Sequence, residues 1–301
     1  MSKMKPMTVQ EFFKLFPDDA ACLDHLMLAR FGREIECPKC WKKGRFARIA
    51  KIPAYSCPWC GHHIHPMVGT PFENSSTPLQ KWFYAMYLFT TSRHGVPAKE
   101  LQRQLGVTYK TAWRMAHLIR MYIGVVDGNG TLSGHVEADE TYVGGKRLGR
   151  GHAGKFSNKT VVFGVVERQG ELVTRVVPDR TMESLQPVIY ENVEPGTTIT
   201  TDEHVSYNDL HHDFDHTAIN HGAKEYARGH HHTNTIEGFW SMMKRSIRGT
   251  HVHVSAKHLP KYLVEFEYRW NMRGMQYFMM DRLLKAFCRV QARDWASQIH
   301  P

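Results

Sequence analysis

Apolar and polar positions change period several times along the chain, and each change marks a different kind of element. Val9, Phe12, Phe13 and Phe16, then Cys22, Leu23, Leu26 and Met27, recur at helical spacing and predict two short helices over 8–31. Pro17 with Asp18 and Asp19 breaks that run and caps the second helix. Residues 45–49 and 54–56 alternate like short strands. Trp82, Phe83, Met86, Tyr87 and Phe89 form one face of a further helix. After Gly95 and Pro97, residues 98–115 read as a short helix, a tight turn at Gly106 and a second helix capped by Thr108. Leu101, Leu105, Ala112, Trp113 and Met115 would pack inside that pair.

The texture turns to α/β beyond residues 127–130. Strands are expected at 135–139, 160–167, 172–177 and 197–202, and helices at 182–191, 233–247, 257–272 and 276–292. The fold class is therefore α/β, preceded by smaller modules. The expected divisions are an N-terminal helical segment (1–35), a cysteine-bearing module (36–70), a helix pair (78–125), an α/β domain (131–275) and a C-terminal helix (276–301).

With 301 residues there is room for two or three domains, and 42% apolar with 23% charged residues argues against disorder. No apolar run approaches the roughly 18 residues that span a bilayer. The basic start, Met-Ser-Lys-Met-Lys-Pro, is not followed by a signal-type apolar stretch, so a cytoplasmic protein is expected. The formal charge of +10 is unevenly spread. Residues 1–130 hold 18 basic and 9 acidic side chains, whereas the remainder is nearly balanced with 21 and 20. A polyanionic partner, most simply nucleic acid, fits that front-loaded excess.

Four of the six cysteines form two close pairs, Cys37-Pro-Lys-Cys40 and Cys57-Pro-Trp-Cys60, sixteen residues apart. Four thiolates at this spacing can close a tetrahedron around Zn²⁺, and the prolines and Gly61 suit the turns. Such a closed site has no open coordination position, so its role is structural. A module with little apolar core is one that metal holds together. His62, His63 and His65 read as surface residues, and Cys22 and Cys288 as core.

The helix pair over 98–115 has the pattern of a helix-turn-helix, whose second helix can enter the major groove. Thr108, Tyr109, Lys110 and Arg114 would then face DNA. Farther along, Asp139 and Asp202 end predicted strands and Glu237 sits early in a helix. An α/β sheet gathers distant carboxylates at one edge in this way. Three of them can hold two Mg²⁺ or Mn²⁺ ions about 3.5–4 Å apart for phosphoryl transfer. Lys244 lies two turns after Glu237 on the same helix face, and Arg245 and Arg248 extend the basic surface. Glu140 and Glu203 adjoin the two aspartates; neighbours on a strand point to opposite faces, so only one of each pair should face the site.

The segments 136–146, 201–203, 232–245 and 266–271, taken together and in this order, resemble the ISXO-type insertion-sequence transposases of bacteria, DDE-class enzymes with an N-terminal zinc ribbon. The resemblance runs from the first helix to about residue 275. It implies an RNase H-like catalytic domain with Asp139, Asp202 and Glu237 as its acidic triad and Lys244 as the accompanying cation. It favours Asp139 over Glu140 and Asp202 over Glu203. It also implies binding of the element's inverted repeats, cleavage there, and joining of 3′ ends to target DNA by a homodimer or larger oligomer on the nucleoid. Trp240 and Trp270 read as core, Asn234 as a helix cap, and His230–His232 as a solvated loop. Lys146, Arg147 and Arg150, in a glycine-rich loop, could clamp DNA. Two other readings remain open at this point: a non-catalytic zinc-containing DNA-binding regulator derived from a transposase, and a stand-alone nuclease with the same chemistry.

Overall fold

The computed structural model describes residues 5–127, 130–144, 159–223 and 227–289. The chain divides into two compact units. The first gathers the chain up to Ser92, then Ala98–Val126 and the segment from Met275; the second gathers Arg93–Pro97 and Asp127–Gly274. Among the described residues, no helix is long and apolar enough to cross a membrane.

In the first unit, α1 (Val9–Leu15) opens with a capping box between Thr8 and Glu11, and α2 (Asp19–Phe31) is capped by the Asp18 carboxylate. Five very short strands follow: β1 (Ile35–Glu36), β2 (Lys43–Gly44), β3 (Ala47–Ile49), β4 (Ala54–Ser56) and β5 (His63–Ile64). They form an antiparallel pair, β1 with β2, and a three-stranded sheet ordered β3-β4-β5. Then come α3 (Leu79–Thr91), α4 (Ala98–Leu105) and α5 (Tyr109–Val126). Gly106 makes the turn between α4 and α5 with φ +61°, and Thr108 Oγ accepts from the Thr111 N–H as expected. Leu101, Leu105, Ala112 and Met115 are buried, but Trp113 is not: it lies at the surface, its ring 3.9 Å from that of His117. An 18-residue helix offers more faces than one neighbour can cover. The last helix among the described residues, Met279–Arg289, belongs to this unit; Phe287 stacks on Phe72 and meets Tyr122 at 4.1 Å.

The second unit is built on one five-stranded sheet. Its strands are β6 (His135–Val143), β7 (Thr160–Glu167), β8 (Leu172–Val177), β9 (Thr198–Asp202) and β10 (Asp215–Ile219), in the order β10-β9-β6-β7-β8. β7 runs antiparallel to both of its neighbours, β6 and β8, whereas β9 runs parallel to β6 and β10 parallel to β9. The helices are α6 (Met182–Asn192), α7 (Asn234–Ser246) and α8 (Leu259–Asn271), so Met279–Arg289 is α9. Alternation sorts the core into two layers. Val136, Ala138, Phe163 and Val165 bury with Leu185 and Ile189 of α6, while Val162 and Val166 bury with Ile236, Phe239 and Trp240 of α7 and Phe266 of α8. β7 is covered on both faces, which explains its unbroken apolar run.

β10 was not expected. Its sequence, Asp-His-Thr-Ala-Ile, has little apolar alternation, because an edge strand has one side open. The opposite edge, β8, is closed by side chains of α8. Asn271 accepts from Leu172 N–H and donates to Leu172 O, and Glu267 accepts from Thr174 N–H. That explains the polar residues within the 266–271 segment.

Candidate active site and cysteine cluster

The cysteine pairs sit on two hairpin loops, one between β1 and β2 and one between β4 and β5. Each loop is closed by the first cysteine's N–H, bonded to Lys42 O or to His62 O. This brings one sulfur of each pair against one of the other: Cys37 Sγ lies 3.6 Å from Cys60, and Cys40 Sγ lies 3.7 Å from Cys57. All four lie within 4.8 Å of one another. Tetrahedral Zn–S bonds of about 2.3 Å place sulfurs about 3.8 Å apart, so the four side chains fit a zinc ion. Among residues 36–65 the buried apolar side chains are Cys37, Ala54, Tyr55 and Cys57, half of them sulfur donors.

The carboxylates gather where β6 and β9 part. Their ladder ends at Glu137 and Thr200; Asp139 and Asp202 each lie two residues beyond, facing an opening. Asp139, Glu140 and Asp202 offer oxygens within 4.8 Å of one another. The expectation that only one of the neighbouring pair would face the site is therefore corrected. Asp139 does point to the α7 side, where Trp240 Nε1 donates to its Oδ2 at 3.0 Å. Glu140 points to the other side, where Tyr207 OH donates at 2.6 Å and Arg180 forms an ion pair. Both still offer an oxygen to the same group, because β6 and β9 are no longer paired there. His204 N–H donates to Asp202 Oδ1 at 3.0 Å, and Arg180 lies 4.0 Å from Asp202.

Burial, then the charges of Glu140 and Asp202, push the Asp139 carboxyl up to about 7. Three close carboxylates that share one arginine, Arg180, suit a hard divalent cation such as Mg²⁺ or Mn²⁺. Glu237 stands outside this close trio, exposed on the first turn of α7, where it accepts from Thr233 Oγ1 at 2.8 Å. Its charge nonetheless bears on Asp139. Lys244 is half-buried; burial lowers its pKa, and the Asp139 charge opposes that shift.

A fifth acidic residue organises the site and was missed in the sequence. Glu137 is fully buried in β6. Its carboxylate accepts from the backbone N–H groups of Thr235 (2.8 Å) and Ile236 (3.1 Å) and from Thr235 Oγ1. It therefore caps α7 from across the sheet, where the helix dipole favours an anion. Asn234, the expected cap, is exposed instead. Arg168, in the turn after β7, binds the same carboxylate at 2.7 Å and also reaches the carbonyls of His230 and His232. The run His230–His232 is thus tethered: His232 lies 3.2 Å from Glu137, and His231 meets Thr200 Oγ1. No local signal marks Glu137, since its partners lie 31 and 98 positions away.

Trp240 owes its place to Gly164, the β7 residue opposite Asp139. A Cβ at Gly164 would lie 2.7 Å from the indole ring. Thr108, Tyr109, Lys110 and Arg114 are all exposed at the start of α5, and Arg245 and Arg248 are exposed at the end of α7 and in the turn after it. Lys146, Arg147 and Arg150 lie outside the described residues.

Residues 131–271 match the model of the ISXO2-like transposase domain. A transposase-like protein of Haemophilus influenzae is 34% identical over 102 residues, which cover 81% of that protein and 34% of this chain. A protein in the transposable element ISH50 of Halobacterium salinarum is 27% identical over 277 residues, covering 92% of that protein and 85% of this chain. The chain belongs to the ISXO2-like transposase family. Among solved structures, similar chains occur in a pre-cleavage Mos1 transpososome and in the Mos1 strand transfer complex. These are 11% identical, with TM-scores of 0.30 and 0.29; each match covers 68% of this chain and 77% or 76% of the other.

Proposed function

We propose that this chain is a DNA transposase that binds the inverted repeats of its element, cleaves there and joins the freed 3′ ends to target DNA. The observation that carries the reading is the meeting of Asp139, in the middle of β6, with Asp202, at the end of β9, just past the last rung of their parallel ladder, with the charges of Glu237 and Lys244 on α7 bearing on the same group. Three antiparallel strands followed by two parallel ones support an RNase H-like domain. Asp139, Asp202 and Glu237 would hold Mg²⁺ or Mn²⁺, which when bound supplies Lewis-acid stabilisation of phosphoryl transfer. Cys37, Cys40, Cys57 and Cys60 would hold a structural Zn²⁺.

In the first step a water oxygen attacks the phosphorus at the element's end. The P–O3′ bond breaks, and the 3′ oxygen leaves with a proton. In the second step that 3′-OH attacks a target phosphodiester in line and displaces the target's own 3′ oxygen. No protein nucleophile is required. Lys244 would hold a phosphate near Asp139, and Trp240 keeps the Asp139 carboxylate oriented. The exposed start of α5 with its cap (Thr108, Tyr109, Lys110, Arg114) would read DNA as the second helix of a helix-turn-helix, with Arg245 and Arg248 on phosphates. Two ends held together require at least a dimer on DNA.

The test is a strand-transfer assay on DNA carrying the repeats that flank the gene, with Mg²⁺ or Mn²⁺. Wild type should give joined products, and Asp202→Asn and Glu237→Gln should give none while still binding. Binding without cleavage by wild type would leave a DNA-binding regulator instead.

A further inference from the structure

The two halves of the cysteine module repeat with an offset of 20 residues. Glu36 pairs with Lys43 as Ser56 pairs with His63, and Ile35 pairs with Gly44 as Tyr55 pairs with Ile64. The loops close alike: Trp41 N–H donates to Cys37 O at 2.9 Å, and Gly61 N–H to Cys57 O at 3.0 Å. In both, the residue after the second cysteine is left-handed, with φ +62° at Trp41 and +71° at Gly61. Glycine adopts this conformation freely, and an L side chain adopts it at a cost. Trp41 meets that cost with a side chain that is 74% exposed and so gains little from burial. The module's other tryptophan differs: Trp59 lies across Gly44, where a Cβ would stand 2.2 Å from its ring.

The surroundings say what an exposed indole there could meet. Lys39, Lys42, Lys43 and Arg45 are all exposed beside it. Residues 36–66 hold six Lys and Arg against one Glu. Cations draw in a phosphate backbone, and a flat exposed ring among them offers a base a stacking platform. We propose that Trp41 is a DNA-binding residue that stacks on an unpaired or unstacked base, with the flanking lysines on adjacent phosphates. The inference rests on the reading of the chain as a DNA transposase, and assigns the zinc module a contact of its own.

The test uses the full chain with zinc bound, comparing wild type, Trp41→Gly and Trp41→Phe. Fluorescence anisotropy would follow a labelled single-stranded oligonucleotide and the duplex of the same sequence over a range of salt. Trp41→Gly should weaken single-strand binding roughly 5- to 150-fold, with the slope against salt unchanged because no phosphate contact is lost. Trp41→Phe should recover most of the affinity. Thermal stability of Trp41→Gly should hold or rise, since glycine suits φ +62°. Equal affinity of wild type and Trp41→Gly would overturn the stacking role alone. Unchanged DNA binding with an altered oligomeric state would overturn it in favour of a protein contact. No binding of either DNA by wild type would overturn both this inference and the functional reading.

Discussion

The thiols and the carboxylates are gathered at different ranges along the chain. Cys37 and Cys60 are 23 positions apart, and each pair is shaped by its own hairpin loop. Asp139 finds Trp240 across 101 positions, and Glu140 finds Tyr207 across 67. The thiols have almost no core around them, and a bound metal would supply what burial does not. The carboxylates are held by a finished scaffold of buried ion pairs, an indole N–H and a tyrosine hydroxyl. On the proposed reading, one cluster would fold with its ion, and the other would be folded before its ion arrives.

The sharpest way to break this comparison is to deny each cluster its metal. Chelation, or Cys57→Ala, should remove binding free energy on the order of 10 kcal/mol from the zinc module. Limited proteolysis should then cut within 36–66. Chelation should leave the second unit resistant, and Asp202→Asn should abolish cleavage without lowering thermal stability, because it relieves like-charge repulsion. A zinc module that resists protease after chelation would defeat the contrast.

A smaller effect tests the scaffold. Glu137→Ala takes the carboxylate from Arg168 and from the start of α7 and should cost about 3–5 kcal/mol, read by denaturant unfolding. Activity measured well below the melting point should fall as well, because α7 carries Glu237. Stability lost with activity kept would show that the clamp supports the fold but does not place the site.

Of similar size is a pH effect at Glu267. Burial, then the Asp127 charge, push its carboxyl up to about 8. Between its ordinary value of 4.5 and about 8, the unfolded chain has released this proton and the native protein keeps it. The residue's contribution therefore weakens as pH rises through that window. Glu267→Gln should gain on the native residue by on the order of 4 kcal/mol from pH 4.5 to 8, as measured by denaturation at several pH values. A constant difference across that range would rule out the shift. The smallest effect expected is at Trp240→Phe, which keeps the ring over Gly164 but loses the N–H to Asp139. Metal affinity read by calorimetry should fall about 10- to 100-fold.

The same difference in range decides what could be read from the chain alone. The thiol cluster is spelled out by local spacing. Strands β7 and β8 and helices α6 to α8 follow from periodicity; motif order singles out Asp139 and Asp202, which the structure brings together, and Glu237, which stands outside that close group. Glu137 and Glu140 were legible only as neighbours of Asp139, because their partners Arg168, Thr235, Tyr207 and Arg180 come from other elements. Trp113 was misplaced because helical spacing says which face is apolar and not how much of it a neighbour covers. β10 carries no pattern of its own; its register comes from β9.

Phe287 of α9 rests on Phe72, Trp82 and Tyr122, more than 160 residues upstream. On the ribosome the first unit therefore emerges early and waits, its aromatic face uncovered, while the whole of the second unit is synthesised. The second unit, whose elements lie almost entirely in one stretch, can fold in the meantime. A message cut short before α9 thus yields a chain able to complete its sheet and carboxylates but not the aromatic core of its basic front, a product that chaperones or proteases would meet first.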